Sequence, residues 1–266
     1  MLVNNQKIII GDCIKQMEKI ESGIIQTAIT SPPYNIQKNY GAYKDNLKPN
    51  DWELLIDNTF KSLKRVLADN GSFFLNVSPV PIKKTKEILP LDAICYSIGK
   101  KNGFFLRNSI IWHFNNMQNC TKRLSGRWES ILWFVKDIDD YIFNLNEIKV
   151  PYITKNDKRL DKDGGRNPTD VWYFDRVNNM TKNKLGVSDV PTMFPVPMIE
   201  RIIKMSTSEG DIVLDPFMGS GGVVIESNKL GRVAIGIDIN PMAVMIVNET
   251  LKKTDKITQD QDRNIE

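Results

Sequence analysis

The sequence predicts an α/β fold, an open seven-stranded and mostly parallel sheet with helices on both faces. Short apolar runs alternate with stretches whose apolar residues recur every three or four positions, which is typical of strands alternating with amphipathic helices. Two of the runs end in proline- or glycine-rich segments with polar side chains, residues 31–34 and 215–222. The chain has 266 residues, 41% of them hydrophobic, which is enough for one large domain or for one domain with a long insertion.

The individual elements follow from where each pattern starts and stops. The clearest helix has an apolar face from Trp52 to Leu67, which we expect Asp51 to cap and Asn70-Gly71 to end. In chain order the predicted strands cover residues 7–10, 26–30, 73–77, 109–114, 130–136, 211–214 and 233–237. The predicted helices cover residues 13–20, 51–67, 91–98, 198–205, 223–230 and 241–251.

The middle of the chain departs from this pattern. From residue 137 to 189 it is rich in Asn, Lys, Asp and Gly, its aromatic residues are scattered, and its periodicity is poor. Such a segment is typical of an irregular insertion rather than of a sheet core, and a long ordered loop usually carries a function. We therefore expect one domain in two halves, residues 1–114 and 190–252, an insertion at 115–189 that contributes the strand at 130–136, and a polar tail at 253–266.

Composition excludes several classes of site. The three cysteines, Cys13, Cys95 and Cys120, have no metal-like spacing and His113 is the only histidine, which argues against a His/Cys zinc site. We expect Cys13 to be an unreactive, half-buried thiol. No run of about 18 apolar residues predicts a membrane span, and the first residues lack a signal-peptide pattern, so the expected location is the cytoplasm.

The charge of the chain is mildly basic. Most of the net charge of +4 lies in residues 110–188, which carry 13 Lys and Arg against 10 Asp and Glu. This balance suits a polyanionic partner without requiring one.

The segment DPFMGSGG, residues 215–222, predicts a cofactor site. Gly219 and Gly221 allow a ligand close to the backbone, and the loop opens a helix whose free N–H groups face the sheet edge. The next strand ends at Asp238, 23 positions after Asp215, a spacing at which an acidic side chain binds ribose hydroxyls. Asp215 would repel a pyrophosphate and the dinucleotide pattern is incomplete, so a cofactor with a cationic part fits better, such as S-adenosyl-L-methionine. Taken alone, the pattern is also that of a tight structural turn.

The segment Ser31-Pro32-Pro33-Tyr34 predicts a site for a planar amine. The prolines fix an extended turn without backbone donors, so their carbonyls and the Ser31 hydroxyl can accept hydrogen bonds. Tyr34 offers a flat face for stacking. Acceptors placed off the ring plane would favour a tetrahedral amine and free its lone pair for attack on a methyl group, and positioning would then carry most of the rate. The structural alternative is a rigid turn before a helix.

With both motifs in place, the chain resembles the amino-group DNA methyltransferases. SPPY is similar to the family's catalytic motif and DPFMGSG to its cofactor loop, and their order, catalytic motif first, is that of the permuted β group of bacterial restriction-modification systems. The resemblance implies S-adenosyl-L-methionine as cofactor, double-stranded DNA as partner, and in some members a cognate restriction endonuclease or a homodimer. It implies that Ser31, Pro32, Pro33 and Tyr34 hold an extruded base, and that the cofactor site comprises Asp12, Cys13, Pro195, Asp215, Pro216, Phe217, Gly219, Ser220, Gly221, Asp238 and Asn240.

The family element that precedes the cofactor loop is only partly matched. Residues 191–195 resemble it, but Val190 stands where the family usually has His and Phe194 where it has Lys.

The resemblance leaves the methylated group open. Within the family, SPPY usually accompanies methylation of cytosine N4 and DPPY that of adenine N6, so the resemblance favours cytosine. Adenine is the alternative, because serine and aspartate can both accept a hydrogen bond from an amine and the chemistry of Ser31 does not decide between the two bases. An amino-methyltransferase of RNA or of a protein amide, and a non-catalytic DNA-binding module, are the other interpretations.

Duplex DNA would impose two further requirements. The base must be flipped out to reach a pocket at a sheet edge, and the irregular middle segment must read the sequence. The candidate DNA-binding residues are Lys38, Tyr43, Arg123, Arg127, Lys158, Arg159 and Arg166.

Overall fold

The computed structural model describes residues 2–3, 6–36, 39–40, 43–82, 84–115, 119–152, 164–177 and 193–251. In this part of the chain the helices are α1 (Cys13–Met17), α2 (Pro49–Val66), α3 (Leu91–Lys101), α4 (Val196–Ser206), α5 (Gly222–Lys229) and α6 (241–251). None of these helices is long and apolar enough to cross a membrane. The strands are β1 (Leu2–Val3), β2 (Gln6–Ile10), β3 (Ile25–Thr30), β4 (Asn39–Tyr40), β5 (Tyr43–Lys44), β6 (Leu67–Val77), β7 (Val80–Pro81), β8 (Ile88–Leu89), β9 (Phe105–His113), β10 (Trp128–Val135), β11 (Val171–Tyr173), β12 (Ile212–Asp215) and β13 (Val233–Asp238).

One sheet organises the molecule, with the strand order β1-β2-β13-β12-β3-β6-β10-β9-β11. The pairs from β2 to β6 are parallel, β10 runs antiparallel to both β6 and β9, and β1 runs antiparallel to β2. All seven predicted strands lie in this sheet, so the predicted mostly parallel α/β architecture is confirmed. The two short edge strands, β1 and β11, were not predicted and bring the sheet to nine strands.

The boundaries of α2 differ from the prediction. The helix begins at Pro49, with Lys48 at the cap position, because proline has no N–H to leave unpaired and its φ already suits a first helical turn. Asp51 lies inside the first turn, where its negative charge favours the helix dipole, and does not cap the helix. The helix ends at Val66 and the chain enters β6 directly, so Asn70-Gly71 lie within a strand, at a shift in the register between β3 and β6.

The core lies on both faces of the sheet. In β6 the neighbours Phe73 and Phe74 point to opposite faces, as the strand pleat requires. Phe73 packs edge-on against Phe60 of α2, with ring centroids 5.1 Å apart, and Phe74 stacks on Trp133 of β10 at 5.4 Å. α1, α2 and α3 cover the first face, and α4 contributes to the second.

Part of the irregular middle segment, residues 137–189, joins the sheet. We had predicted that this segment lies outside the sheet core. β11 pairs in parallel with the end of β9, and its Trp172 is buried. The guanidinium of Arg201 on α4 lies 5.1 Å from the Trp172 ring and 4.9 Å from the Phe174 ring. A three-residue strand is too short to show a period of two, and for this reason the sequence did not reveal it.

Candidate active site

The two sequence motifs meet at the carboxyl edge of the sheet. β3 and β12 are parallel neighbours, so SPPY after β3 and the glycine loop after β12 leave the sheet side by side. The hydroxyl of Thr30, the last residue of β3, donates a 2.7 Å hydrogen bond to Oδ1 of Asp215, the last residue of β12. The fold therefore joins residues that are 185 positions apart in sequence.

A single cavity of about 400 Å³ is lined by residues of both motifs. This volume lies within the range of about 300–1,000 Å³ that is usual for small-molecule sites. Of the predicted site residues, those lining the cavity are Asp12, Cys13, Ser31, Pro32, Pro33, Tyr34, Tyr43, Asp215, Pro216, Phe217, Gly219, Ser220 and Asp238.

The glycine loop is held against β13 by its backbone. Gly219 has φ +53°, a left-handed conformation that suits glycine, and its N–H donates to Oδ2 of Asp238 at 2.8 Å. Gly221 has φ +75° and does not line the cavity, since it packs against α6. A Cβ at Gly221 would lie 2.1 Å from the Val247 side chain, so this glycine permits close packing of the loop on α6.

Asp215 is a buried carboxylic acid at the cavity wall, with 4% of its surface exposed. Burial raises its pKa to about 7, because the charged form loses its hydration. Hydrogen bonds from Thr30 and from the Phe217 N–H favour the charged form, and the nearby Asp238 disfavours it. The group is therefore close to its midpoint at neutral pH, and a cation in the cavity would shift it toward the carboxylate.

Asp238 links the loop to the following helix. Besides the Gly219 N–H, it accepts a 2.7 Å hydrogen bond from the Asn240 N–H, and burial raises its pKa. Asn240 in turn accepts from the Met242 N–H at 3.0 Å, so its side chain stabilises the start of α6. Pro195 is buried at the cap position of α4. Neither Asn240 nor Pro195 lines the cavity, in contrast to their expected place in the cofactor site.

The SPPY segment is fixed from outside the cavity. The indole N–H of Trp52 on α2 donates to the Pro33 carbonyl at 2.7 Å. Asp45 accepts from the backbone N–H groups of Asn35 and Ile36 at 2.8 and 2.9 Å. The turn is therefore rigid on its outer side, and the Pro33 carbonyl is already occupied by Trp52.

The Tyr34 hydroxyl is surrounded by polar groups. The Ser31 hydroxyl donates to it at 3.1 Å, and Tyr34 donates toward the carbonyl and Oδ1 of Asn76, at 3.2 and 3.3 Å, and toward Oε2 of Glu129 at 3.4 Å. These contacts fix the ring, which has 8% of its surface exposed and lines the cavity.

Asn76 and Glu129 were missed in the sequence. Each is a polar residue at the end of an apolar strand run, Asn76 in β6 and Glu129 in β10. A polar residue at a strand end is the only hint that the sequence gives. It points to the site only once the antiparallel pairing of β6 and β10 is known, because this pairing brings the two residues together.

Arg176 is a further cavity residue that the sequence did not single out. It follows β11, forms an ion pair with Glu129, and its guanidinium lies 3.9 Å from the centre of the Phe114 ring. The middle segment therefore contributes a cation to the cavity wall beside Tyr34. Other cavity residues outside the predicted set are Gly11, Leu55, Trp112, Val177, Met193, Phe194, Met218, Gly222, Val223 and Ile239.

Cys13 lines the cavity but has an unreactive thiol. Burial, followed by the negative charge of Asp12, raises its pKa to about 12. A thiol with so high a pKa is a poor nucleophile at neutral pH. Within the described ranges, no group of three or more His, Cys, Asp or Glu residues could hold a metal ion.

The predicted DNA-binding residues are dispersed. Tyr43 lines the cavity, whereas Arg123, Arg127 and Arg166 lie outside it, Arg123 exposed and the other two half-buried. Outside the described residues lie Lys38, Lys158, Arg159, residues 190–192 and the tail at 253–266.

Comparison with known proteins agrees with this geometry. A family model described as DNA methylase, for N6 and N4 methyltransferases, matches residues 25–249. Type II methyltransferase M.HpaI of Haemophilus parainfluenzae is 34% identical over 250 residues, which cover 93% of this chain and 74% of the relative. The DNA adenine methyltransferase YhdJ of Escherichia coli is 32% identical over 255 residues, 89% of this chain and 80% of the relative.

Solved structures show the same fold. PvuII DNA methyltransferase (cytosine-N4-specific) superposes with a TM-score of 0.73 at 18% identity, over 92% of this chain and 89% of that one. A DNA modification methylase of Thermus thermophilus, complexed with S-adenosyl-L-methionine, superposes with a TM-score of 0.65 at 23% identity, over 93% and 95% of the two chains. Together with the family match, the two strand-end motifs and their shared cavity establish that this chain belongs to the DNA methylase family of N6 and N4 amino-methyltransferases.

Proposed function

We propose that this protein transfers a methyl group from S-adenosyl-L-methionine to the exocyclic N4 amine of a flipped-out cytosine in a short double-stranded DNA sequence. The observation that carries the proposal is the Thr30–Asp215 hydrogen bond, which holds the SPPY turn and the glycine loop at one cavity. Methyl transfer between two bound molecules needs this arrangement, since each motif would hold one of the reactants next to the other.

The residues of the glycine-loop side fit S-adenosyl-L-methionine. The Asp215 carboxyl can ionise opposite a cationic amino-acid end, and Asp238 retains lone pairs for ribose hydroxyls after its two backbone hydrogen bonds. Gly219 keeps the wall free of a side chain at this point. When bound, the cofactor supplies an electrophilic methyl group on a sulfonium. The chain itself supplies orientation and a charge that complements the sulfonium and ammonium groups.

The SPPY side fits an aromatic amine. The ring of Tyr34 is fixed at the cavity wall, and the Ser31 oxygen and the Pro32 carbonyl are acceptors for the two amine hydrogens. Acceptors in these positions hold the amine nitrogen near the glycine-loop side and favour its lone pair for attack. The base must leave the duplex to reach them, which costs a few kcal/mol of stacking and pairing.

Duplex recognition belongs, in this proposal, to residues 115–189. β11 of this segment pairs with the main sheet, and Arg176, which follows β11, lines the cavity. Arg123, Arg127 and Arg166 are its described candidates for phosphate or base contacts. M.HpaI is a Type II methyltransferase, and a cognate restriction endonuclease for this chain is part of the same proposal.

Cytosine is preferred over adenine because the motif begins with Ser31. The structural relative named as cytosine-N4-specific agrees with this preference, whereas YhdJ is named as an adenine enzyme. Both bases present a planar amine, so the same site geometry serves either reaction.

Single-molecule sequencing of DNA from cells that express the chain tests the proposal, with nucleoside mass spectrometry to identify the modified base. We expect N4-methylcytosine in one short sequence, and no modification with Ser31→Ala. A second control, Ser97→Ala, removes a hydroxyl that bonds to the Ala93 carbonyl within α3, away from the cavity, and should preserve the modification. N6-methyladenine would overturn the base assignment, and an unmodified genome would overturn DNA as the substrate.

A further inference from the structure

The Tyr34 hydroxyl has a hydrogen-bond direction that its surroundings determine. Asn76 donates its side-chain N–H to the Ser130 carbonyl at 3.2 Å, so its Oδ1 faces Tyr34. The Asn76 carbonyl and Oδ1, and Oε2 of the Glu129 carboxylate, are acceptors without a hydrogen. Tyr34 must therefore donate toward this group, and its oxygen accepts from Ser31.

This direction determines what Ser31 presents to the cavity. A serine hydroxyl has one hydrogen and two lone pairs, and the hydrogen of Ser31 points to Tyr34 at 3.1 Å. Among the described residues, none donates to Ser31. Its oxygen is therefore an acceptor toward the cavity, as a carboxylate would be, although serine carries no charge.

Glu129 is the only one of the three Tyr34 acceptors that can take up a proton. Its side chain is 8% exposed, its Oε1 is paired with Arg176, and its Oε2 is the atom facing Tyr34. Asn76, by contrast, can accept a hydrogen bond but has no useful basicity. The chain of donors thus runs from Ser31 through Tyr34 to a buried carboxylate.

We propose that Ser31, Tyr34 and Glu129 form a proton relay that takes one hydrogen from the target amine during methyl transfer. The inference rests on the proposed function of this site. As the amine lone pair forms the bond to the methyl carbon, the electrons of the carbon–sulfur bond remain on sulfur and the nitrogen becomes cationic. One N–H proton passes to Ser31, the Ser31 proton to Tyr34, and the Tyr34 proton to Glu129. Glu129 does not touch the substrate. It acts through Tyr34 and Ser31, as a positioning residue for the two hydroxyls and as the final proton acceptor.

The relay gives a physical reason for a neutral serine at this position. Serine alone can accept a hydrogen bond, but it cannot hold the proton that the reaction releases. A carboxylate two hydrogen bonds away supplies the missing basicity, and Arg176 holds the other oxygen of that carboxylate in an ion pair at the cavity wall.

Single-turnover methyl transfer to a duplex carrying the modified sequence tests the relay. Glu129→Gln keeps the size of the side chain, but its amide oxygen will face Arg176 and its NH₂ will face Tyr34, which reverses the donor direction. We expect the rate to fall about 10- to 100-fold, within the usual contribution of general base catalysis. S-adenosyl-L-methionine binding should be unchanged, because the cofactor-side residues are untouched.

Solvent deuterium supplies a readout that a purely structural role would not change. The wild-type rate should be slower in D₂O, with a curved dependence on deuterium fraction because several protons move together, and Glu129→Gln should lose this curvature. Asp92→Asn is the matched control, since Asp92 is a carboxylate that bonds to Ser130, next to Glu129, without lining the cavity. It should retain both the rate and the curvature.

Tyr34→Phe keeps the ring and interrupts the relay at its centre, so it decides the matter if Glu129→Gln fails to fold. We expect a similar loss of rate, and no further loss when the two substitutions are combined. Rates within twofold of wild type for either folded variant, or unchanged solvent effects, would overturn the relay while leaving the proposed function intact. A wild-type protein that methylates no DNA would instead overturn the proposed function.

Discussion

The ionisation of one residue, Asp215, makes the charge of the cavity wall depend on pH near neutrality. Its carboxyl is buried, which raises the pKa to about 7, while hydrogen bonds from Thr30 and the Phe217 N–H favour ionisation. Asp238 is the neighbouring negative charge and disfavours ionisation. A cation that binds beside Asp215 lowers its pKa, so binding below neutral pH must release a proton.

We therefore expect the affinity for S-adenosyl-L-methionine to weaken as the pH falls below about 7. Below this value the free protein holds Asp215 protonated, and ionising it subtracts from the binding free energy. Above it the affinity should be nearly constant with respect to this group. Isothermal titration calorimetry in buffers with different ionisation enthalpies measures both the affinity and the released proton.

Two variants distinguish Asp215 from other carboxylates in this measurement. Asp215→Asn should bind the cofactor more weakly at pH 8 and should lose the proton release. Asp211→Asn alters the residue just before the same strand, where Asp211 bonds to the Ser208 N–H away from the cavity, and should behave as wild type. Equal proton release in wild type and Asp215→Asn would contradict the assignment.

At the residue scale, the contiguous motifs were the ones that the sequence could single out. SPPY and the glycine loop each lie within a few positions, and most of their residues line the cavity. Asn76 and Glu129 reach Tyr34 only through the antiparallel pairing of β6 and β10, across separations of 42 and 95 positions. A lone polar residue at a strand end has many structural explanations, so no local pattern distinguishes these two.

At the element scale, the packing of α3 on the sheet depends on one glycine. Gly99 lies in α3, and a Cβ there would be 2.6 Å from the Phe134 ring of β10 and 3.0 Å from the Phe60 ring of α2. These rings belong to a cluster in which Phe60 and Phe134 pack edge-on at 5.5 Å. The glycine therefore sets how closely the helix approaches two aromatic rings that are themselves fixed.

Gly99→Ala should destabilise the protein by up to about 2 kcal/mol. Alanine favours the helix by about 1 kcal/mol, but overpacking a fixed core costs about 1–3 kcal/mol and forces the rings apart. Urea unfolding followed by circular dichroism measures the free energy of unfolding. Gly126→Ala is the matched control, since its added Cβ meets nothing within 4 Å, and a Gly99 variant as stable as this control would contradict the close packing.

Periodicity predicted most helices and strands because their apolar faces are long enough to repeat. The start of α2 was wrong because Pro49 at the first helical position outweighs the capping tendency of Asp51. The end was wrong because Asn70-Gly71, a usual turn signal, is accommodated inside β6 at a register shift. Gly71 is needed there, as a Cβ would lie 2.9 Å from the Ala68 carbonyl oxygen.

At the scale of the whole molecule, the sheet order brings strands from the first and the last part of the described chain to one site. β12 and β13 come late in sequence, yet they lie between β2 and β3 in the sheet. The SPPY turn and the glycine loop therefore reach one cavity from opposite halves of the chain, and the segment between them supplies Arg176. Local periodicity does not encode the order of strands in a sheet. The arrangement could therefore be expected only from the resemblance to a permuted family.

Binding at this site should stabilise the whole domain. A ligand at 100 times its dissociation constant adds about 2.7 kcal/mol to the stability of the folded state. For domains of roughly this size each kcal/mol shifts the melting temperature by about 2–4 °C, so S-adenosyl-L-methionine should raise it by about 5–10 °C. Differential scanning fluorimetry measures the shift.

The choice of control ligand makes this measurement specific to the acidic wall. NAD carries the same adenosine, but its pyrophosphate would approach Asp215 and Asp238, the two carboxyls that line the glycine-loop side of the cavity. Like charges in a buried wall repel strongly, so NAD at the same concentration should leave the melting temperature unchanged. If NAD stabilised the protein as much as S-adenosyl-L-methionine, the cavity would recognise adenosine alone, and the acidic wall would have no role in selecting a cationic cofactor.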